Sequence, residues 1–241
     1  MHKFIVCSST SLVRVIELGL HPLADTFLTE SQLLLPQQLY PLNCLLCKKC
    51  CHLQNEFLVP GKDRYIKSNY SYTSSNSKVA TAHWQEFYTS VSTFLNLTPK
   101  DPIIEFGSND GYLLKQFIAK GHPVIGIEPA PNIAALANET GIKTLVGFLS
   151  QKTMIKAIKK HGKAKLILGN NVLNHIENLN ESIQVILSGL QVDGFLVVEF
   201  PYLKDVVEKY LFDMLFHEHI SNFSVKSIDT LFKKNSLYIS H

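Results

Sequence analysis

At 241 residues, 46% hydrophobic and 18% charged, the chain has the profile of a folded protein with room for a sizeable core, which excludes a disordered or collagen-like polymer. A net charge of +3 is too small to demand a nucleic-acid or membrane-surface partner, and no apolar run approaches the ~18–20 residues that span a bilayer. Phe4–Cys7 is too short for a signal-peptide core, so a cytoplasmic location is expected.

Residues 1–62 read as irregular, with several prolines and short apolar pieces at Val13–Leu18 and Leu33–Leu35. They hold all five cysteines: Cys7 alone, then Cys44, Cys47, Cys50 and Cys51 close together. An odd count without an export signal argues against a disulfide framework, and the Cys47-Lys-Lys-Cys50 spacing suggests thiolates set for a metal. Residues 63–99 form a connecting segment, Tyr/Ser-rich from Tyr65 to Ser77. A helix follows over Val79–Leu97, with Trp84, Phe87, Tyr88, Val91 and Phe94 near the spacing of one face.

From residue 100 to 241 short apolar runs alternate with helical patterns. Strands are expected at Ile103–Phe106, Val124–Ile127, Lys143–Val146, Lys165–Leu168 and Phe195–Phe200. Between them come helices at Tyr112–Lys120, Asn132–Thr140, Gln151–His161 and Asn180–Leu190. A helix near Ser227–Asn235 and a sixth strand, Leu237–Ser240, complete the reading. The alternation is that of a doubly wound parallel sheet. A strand so near His241 would leave a sheet edge open, so the chain reads as cut short within or just at the end of this domain.

Glu105-Phe-Gly-Ser-Asn-Asp-Gly111 joins the first of these strands to the first helix. Gly107 and Gly111 permit a tight turn and close approach to a ligand, and a helix N-terminus favours negative charge. The spacing differs from Gly-x-Gly-x-x-Gly, which disfavours NAD. Glu128, in Gly-Ile-Glu-Pro at the end of the next strand, can accept both hydroxyls of a ribose.

With Gly169-Asn-Asn-Val172 at the end of the fourth strand, these features resemble the class I S-adenosylmethionine (SAM) methyltransferases. The chain is similar in particular to bacterial sugar C-methyltransferases that act on nucleotide-linked keto-sugars. The resemblance runs through Leu18-Gly-Leu-His-Pro-Leu-Ala-Asp25, Tyr40-Pro-Leu, Cys47-x-x-Cys50, Tyr70 to Ser75, Gly-Ser-Asn-Asp-Gly, Gly-Ile-Glu-Pro, Asn-Asn-Val-x-x-His175 and Phe212 to His219. It implies an α/β, Rossmann-like class I methyltransferase sheet behind a small irregular N-terminal zinc-binding domain. It implies a SAM site at Gly107, Asn109, Gly111, Glu128, Asn170 and Asn171, with Phe148 near the adenine. Family members continue into a C-terminal domain that helps hold the nucleotide sugar; its absence leaves a role for a separate chain that supplies it.

Methylation of carbon needs an enolate, hence a base beside a ketone and support for the enolate oxygen. The resemblance implies His219 as base, with a resting pKa near ~6.5 suited to neutral pH, Glu218 as an orienting group, and Tyr70 and His175 as sugar or enolate partners. A metal pair at His217 and His219, on one face of a strand, is the alternative, though a third ligand is lacking. The family usually has Tyr where Phe216 stands, and an aromatic where Asn222 stands. Its zinc site is also incomplete here. Cys7, Cys47 and Cys50 provide three ligands, and His2, Cys44 or Cys51 could provide a fourth. A three-ligand or vacant site stays open as well, and buried free thiols are the minority reading.

Lys152, Lys156 and Lys160 share a helix face, and with Lys159, Lys163 and Lys165 they read as a solvated surface. RNA or sugar-diphosphate contact is the minority view. Three functions compete: a keto-sugar C-methyltransferase, a non-catalytic SAM-binding remnant, and an RNA methyltransferase with a zinc module. The Asn-Asn-Val turn weighs against nucleic-acid bases.

Overall fold

Two sheets organise the chain, and each belongs to a separate unit. The computed structural model describes residues 5–24, 27–66 and 70–241. In chain order its first elements are β1 (Leu12–His21), β2 (Tyr40–Cys47), β3 (Leu53–Asn55), α1 (Gly61–Tyr65) and α2 (Lys78–Phe94). The alternating part follows: β4 (Ile103–Phe106), α3 (Tyr112–Ile118), β5 (Val124–Glu128), α4 (Pro131–Glu139), β6 (Thr144–Val146), α5 (Gln151–His161) and β7 (Ala164–Asn170). Last come α6 (Leu179–Gly189), β8 (Leu190–Glu199), α7 (Leu203–Glu208), β9 (Ser221–Asn222) and α8 (Val225–Lys234).

The first unit comprises Met1–Arg64, Asn171–Gln184 and Glu199–His241. Its sheet runs β1-β2-β3-β9. β1 pairs antiparallel with β2 from Leu12↔Cys47 to His21↔Tyr40, with two register shifts that let a long strand bend. β9 returns from far along the chain to pair Leu53 with Asn222 and Gln54 with Ser221. Cys44, Leu53, Leu203, Val206 and Leu215 form the apolar core. Burying a leucine contributes roughly 1.5–3 kcal/mol. The N-terminal region is therefore more regular than its texture suggests. Pro41 and several polar residues interrupt the alternation of β1 and β2, but the backbone pairing tolerates them.

The second unit, Tyr65–Asn170 and Val185–Val198, holds the five-stranded sheet in the order β6-β5-β4-β7-β8. The β6–β5, β5–β4 and β4–β7 pairings are parallel. Every residue of β4 and β5 is buried, as strands covered on both faces must be. Trp84 of α2 packs with Ile103, Leu113, Leu114, Phe117, Leu166 and Leu168. Helix starts carry their own signals. Ser77 accepts the Ala80 N–H at the head of α2, Ser150 and Thr153 cap α5 reciprocally, and Pro131 opens α4.

The expected sixth strand at Leu237–Ser240 is absent; these residues are not in a strand. Their apolar, β-branched composition fits a strand, but a strand exists only where a neighbour offers its backbone, and among the described residues none does.

Candidate functional site

The Gly-Ser-Asn-Asp-Gly turn leaves β4 with three residues in the left-handed region: Gly107, Asn109 and Gly111, at φ of 62°, 51° and 78°. Glycine enters this region without strain and asparagine does so more readily than most residues. At Gly111 space also matters, since a Cβ there would lie 2.9 Å from the Ile142 side chain. The turn brings the Asn109 N–H to Oε2 of Glu128 at 3.0 Å, while the Ala130 N–H donates to Oε1 at 2.9 Å. Burial raises the pKa of Glu128, and these two N–H groups act against that rise. Each oxygen keeps a lone pair for a further donor.

Just before the turn, in β4, stands Glu105, which the motif's spacing alone does not mark as a site residue. Its Oε2 is buried without a hydrogen-bond partner. Burial, then the charges of Asp110 and Glu128, push its pKa well above the ordinary carboxylate value. Asn170, at the end of β7, likewise buries both amide atoms without partners. Such orphaned groups mark places where a polar ligand can compensate a desolvation cost of ~1–3 kcal/mol each. The turn, the carboxylate and these orphans fit a nucleoside with an attached amino-acid chain.

Phe148 follows Gly147, whose N–H donates to the Glu128 carbonyl at 2.9 Å. The Phe148 ring lies 6.3 Å from Tyr65, and Tyr65 lies 5.2 Å from Tyr70. Tyr70 is held through its carbonyl, which accepts from Asn132 Nδ2 at 2.8 Å. Tyr65, which sequence reasoning passed over, completes this aromatic row; its only signal was membership in a Tyr/Ser-rich stretch.

The other expected residues lie in the first unit. Asn171, at φ 53°, donates its N–H to the Glu199 carbonyl at 2.6 Å. His175 ends a 3-10 turn, Leu173–His175, with its Nδ1 3.8 Å from Oε2 of Glu218. The rings of His175 and His219 meet edge to face at 5.0 Å, and Phe216 lies 4.1 Å from His219. His175, Glu218 and His219 therefore form one cluster, while Tyr70 belongs to the other unit.

His219 Nδ1 is 2.8 Å from the Met214 carbonyl. A carbonyl only accepts, so Nδ1 carries the hydrogen and Nε2 carries a lone pair. Burial lowers the His219 pKa to about 4, below the ~6.5 expected of an exposed imidazole. His175 is also pushed well down, by burial and then by His219 and Arg64. Arg64 is another residue the sequence did not single out. It is buried, and its guanidinium donates to the His175 carbonyl at 3.3 Å and to that of Val59 at 3.2 Å.

The His217–His219 segment is a turn rather than a strand, closed by the His219 N–H on the Phe216 carbonyl. The shared-face premise of a His217/His219 metal pair thus fails. His217 Nε2 instead lies 3.2 Å from the Tyr40 carbonyl.

Cys7, Cys47 and Cys50 place their sulfur atoms within 4.8 Å of one another, the one such group of three among the described residues. Cys7 and Cys47 are 3.6 Å apart. Zn–S bonds of ~2.3 Å in a tetrahedron give S···S edges of ~3.8 Å, so the spacing fits zinc. The Cys50 N–H also donates to Cys47 Sγ at 3.4 Å, as suits a thiolate. Cys44 is not in the group. Its Sγ faces Asn55 Oδ1, and burial raises its pKa to about 11. Cys51 is also outside the group, while His2, like Phe4 and Asp25 of the sequence motifs, lies outside the described residues.

Lys152, Lys156, Lys159 and Lys160 are exposed on α5, in keeping with a solvated face. No helix of the described residues is long and apolar enough to cross a membrane.

Residues 5–65 match a family described as “Putative zinc binding domain”, and residues 81–241 match a family described as “Methyltransferase domain”. The chain is 30% identical over 234 residues to the C-methyltransferase NovU of Streptomyces niveus. That match covers 97% of this chain and 55% of NovU, so the chain spans about half the length of this relative. Among solved structures, a sarcosine dimethylglycine methyltransferase, so titled with the word “putative”, from Galdieria sulphuraria aligns with a TM-score of 0.53 at 14% identity, over 68% of this chain and 64% of that one. The plantazolicin methyltransferase BpumL, solved with SAH, aligns at 0.52 and 15% identity, over 67% and 65%. These likenesses show the fold. With the second family match spanning well over half of it, the chain belongs to the methyltransferase domain family and carries a SAM-dependent methyltransferase fold behind a zinc-binding-family domain.

Proposed function

We propose that the chain methylates carbon on a nucleotide-linked keto-sugar. SAM, when bound, supplies an electrophilic methyl group, and the substrate must supply a carbanion equivalent. The observation that carries the reading is the His175–Glu218–His219 cluster. His219 is neutral, with its Nε2 lone pair unengaged by Met214, the state a base needs. His219 takes the proton beside the ketone. Glu218, 3.8 Å from His175, orients that imidazole, and His175 and Tyr70 serve as sugar or enolate partners. The relative named as a C-methyltransferase, alike over 97% of this chain, supports carbon as the acceptor. The SAM site in this reading comprises Gly107, Asn109, Gly111, Glu128, Asn170 and Asn171, with Phe148 beside the adenine. Cys7, Cys47 and Cys50 would hold a zinc ion whose role is structural.

The test is exchange of the α-proton of a nucleotide-linked keto-sugar with deuterated water, measured without SAM. Wild-type protein should catalyse it, and His219→Asn should slow it by ~10²–10⁴-fold. Exchange at the wild-type rate in that variant assigns the base elsewhere.

A further inference from the structure

We propose that Asn109 is a positioning residue that ties Glu128 to the Tyr70–Ser75 segment, so that an S-adenosyl ligand bound at Glu128 is registered at Tyr70 and Tyr72. The inference rests on the SAM site proposed above.

Each polar atom of Asn109 has a separate task. Its backbone N–H donates to Glu128 Oε2 at 3.0 Å. Its Oδ1 accepts the Ser74 N–H at 2.8 Å and the Asp110 N–H at 2.9 Å, which occupies both lone pairs. Its Nδ2 donates to the Tyr72 carbonyl at 3.1 Å. The next residue strengthens the tie. The Asp110 carboxylate accepts from the hydroxyls of Ser74 and Ser75 and from the Ser75 N–H at 3.1 Å. At the other end of the segment, Asn132 holds the Tyr70 carbonyl.

Only one residue type meets all these demands. At φ 51° the backbone favours Gly, Asn or Asp. Glycine would keep the bond to Glu128 and lose those to Tyr72 and Ser74. Aspartate would offer no donor to Tyr72 and would put a second charge beside Asp110. Asparagine alone supplies donor and acceptor together. A ligand whose hydroxyls engage Glu128 restrains that carboxylate and, through a hydrogen-bonded chain of one residue, the segment that carries Tyr70 and Tyr72. Ordering of this kind makes a later ligand easier to bind without any large movement. Cofactor and substrate would therefore each favour the binding of the other.

The chain carries its own reporter. Its one tryptophan, Trp84, donates its indole N–H to the Ser74 carbonyl at 3.1 Å. Titration of the full chain with S-adenosylhomocysteine, followed by calorimetry and by Trp84 emission, should show binding with a shift in emission. Amide exchange at Ser74 and Ser75 should slow by about tenfold, within the usual range of coupling between sites. Asn109→Gly removes a residue of the site, so it should bind the ligand more weakly by calorimetry and, at saturating ligand, lose both responses. Ser74→Ala with Ser75→Ala keeps every residue of the turn and removes only the two hydroxyls that Asp110 accepts; it should weaken both responses, and it carries the test if the glycine variant does not fold. Ligand binding without either response in wild type overturns the proposal, as does a full response in the folded variants. Absence of calorimetric binding to the wild type overturns the SAM site itself, and this coupling with it.

Discussion

A neutral histidine with one nitrogen pinned and the other open is the smallest unit of this account. The low pKa of His219 fixes the direction of its pH dependence. With His219 as the proposed base, the competent form is the unprotonated one, and it persists until pH falls through about 4. The rate of α-proton exchange should therefore stay level from pH 8 down to ~5 and fall below that, with no inflection near ~6.5. An inflection near ~6.5 that vanishes in His219→Asn would mean that burial has not moved this group. Phe216, 4.1 Å from His219, occupies the place where the resembling family usually has Tyr. Phe216→Tyr should raise a weak exchange rate by supplying a phenol donor, and an unchanged rate assigns Phe216 to packing alone. At the cofactor side, Glu128→Ala should weaken S-adenosylhomocysteine binding by ~1.5–3 kcal/mol, the worth of hydrogen bonds to a charged group; unchanged affinity in calorimetry removes Glu128 from the site. The resemblance points to His175, Glu218 and His219 through the short motifs that hold them, and the fold is what brings the three together. Arg64 and Tyr65 are not legible in the sequence, since their contacts depend on how distant segments meet and no local spacing signals them.

Elements differed in how openly they announced themselves. β4 through β7 and the helices between them follow from apolar runs and helical spacing, because a strand covered on both faces must be apolar throughout. β9 could not be read this way. It is the polar pair Ser221–Asn222, and it exists because Leu53 and Gln54 offer it a partner from the other end of the chain. Leu237–Ser240 shows the converse, an apolar run without a partner. The three-thiol group joins Cys7, ahead of β1, to Cys47 at the end of β2 and Cys50 just after it, and its value is testable at that scale. Metal analysis should find about one zinc per chain. Chelation, or Cys47→Ser, should cost ~3 kcal/mol or more and lower the melting temperature by roughly 6–12 °C. A metal-free protein with an unchanged melting curve would show the cysteines to be buried thiols only.

Across the whole molecule, the two units interleave along the chain, since segments 171–184 and 199–241 fold with the N-terminal sheet. The histidine cluster and the cysteine group thus share one unit, although the sequence separates them widely. Burial of uncharged His175 and His219 gives that unit a specific acid sensitivity. Both have folded-state pKa values below their ordinary ~6.5, so the unfolded chain binds more protons and stability falls as pH drops from ~6.5 towards ~4. His219 alone contributes on the order of 3 kcal/mol to that loss, and denaturant melts at pH 7 and 5 should show it shrink in His219→Asn. Transfer of a methyl group to carbon is decided by product analysis. Protein, SAM labelled with ¹³C in the methyl group, and a nucleotide-linked keto-sugar are incubated together, and the product is examined by carbon NMR. Transfer to carbon gives a labelled methyl resonance in the aliphatic region whose protons correlate over two bonds with the carbon beside the ketone. A labelled methyl bonded to oxygen or nitrogen, or label that remains wholly on SAM with every keto-sugar tried, would contradict it.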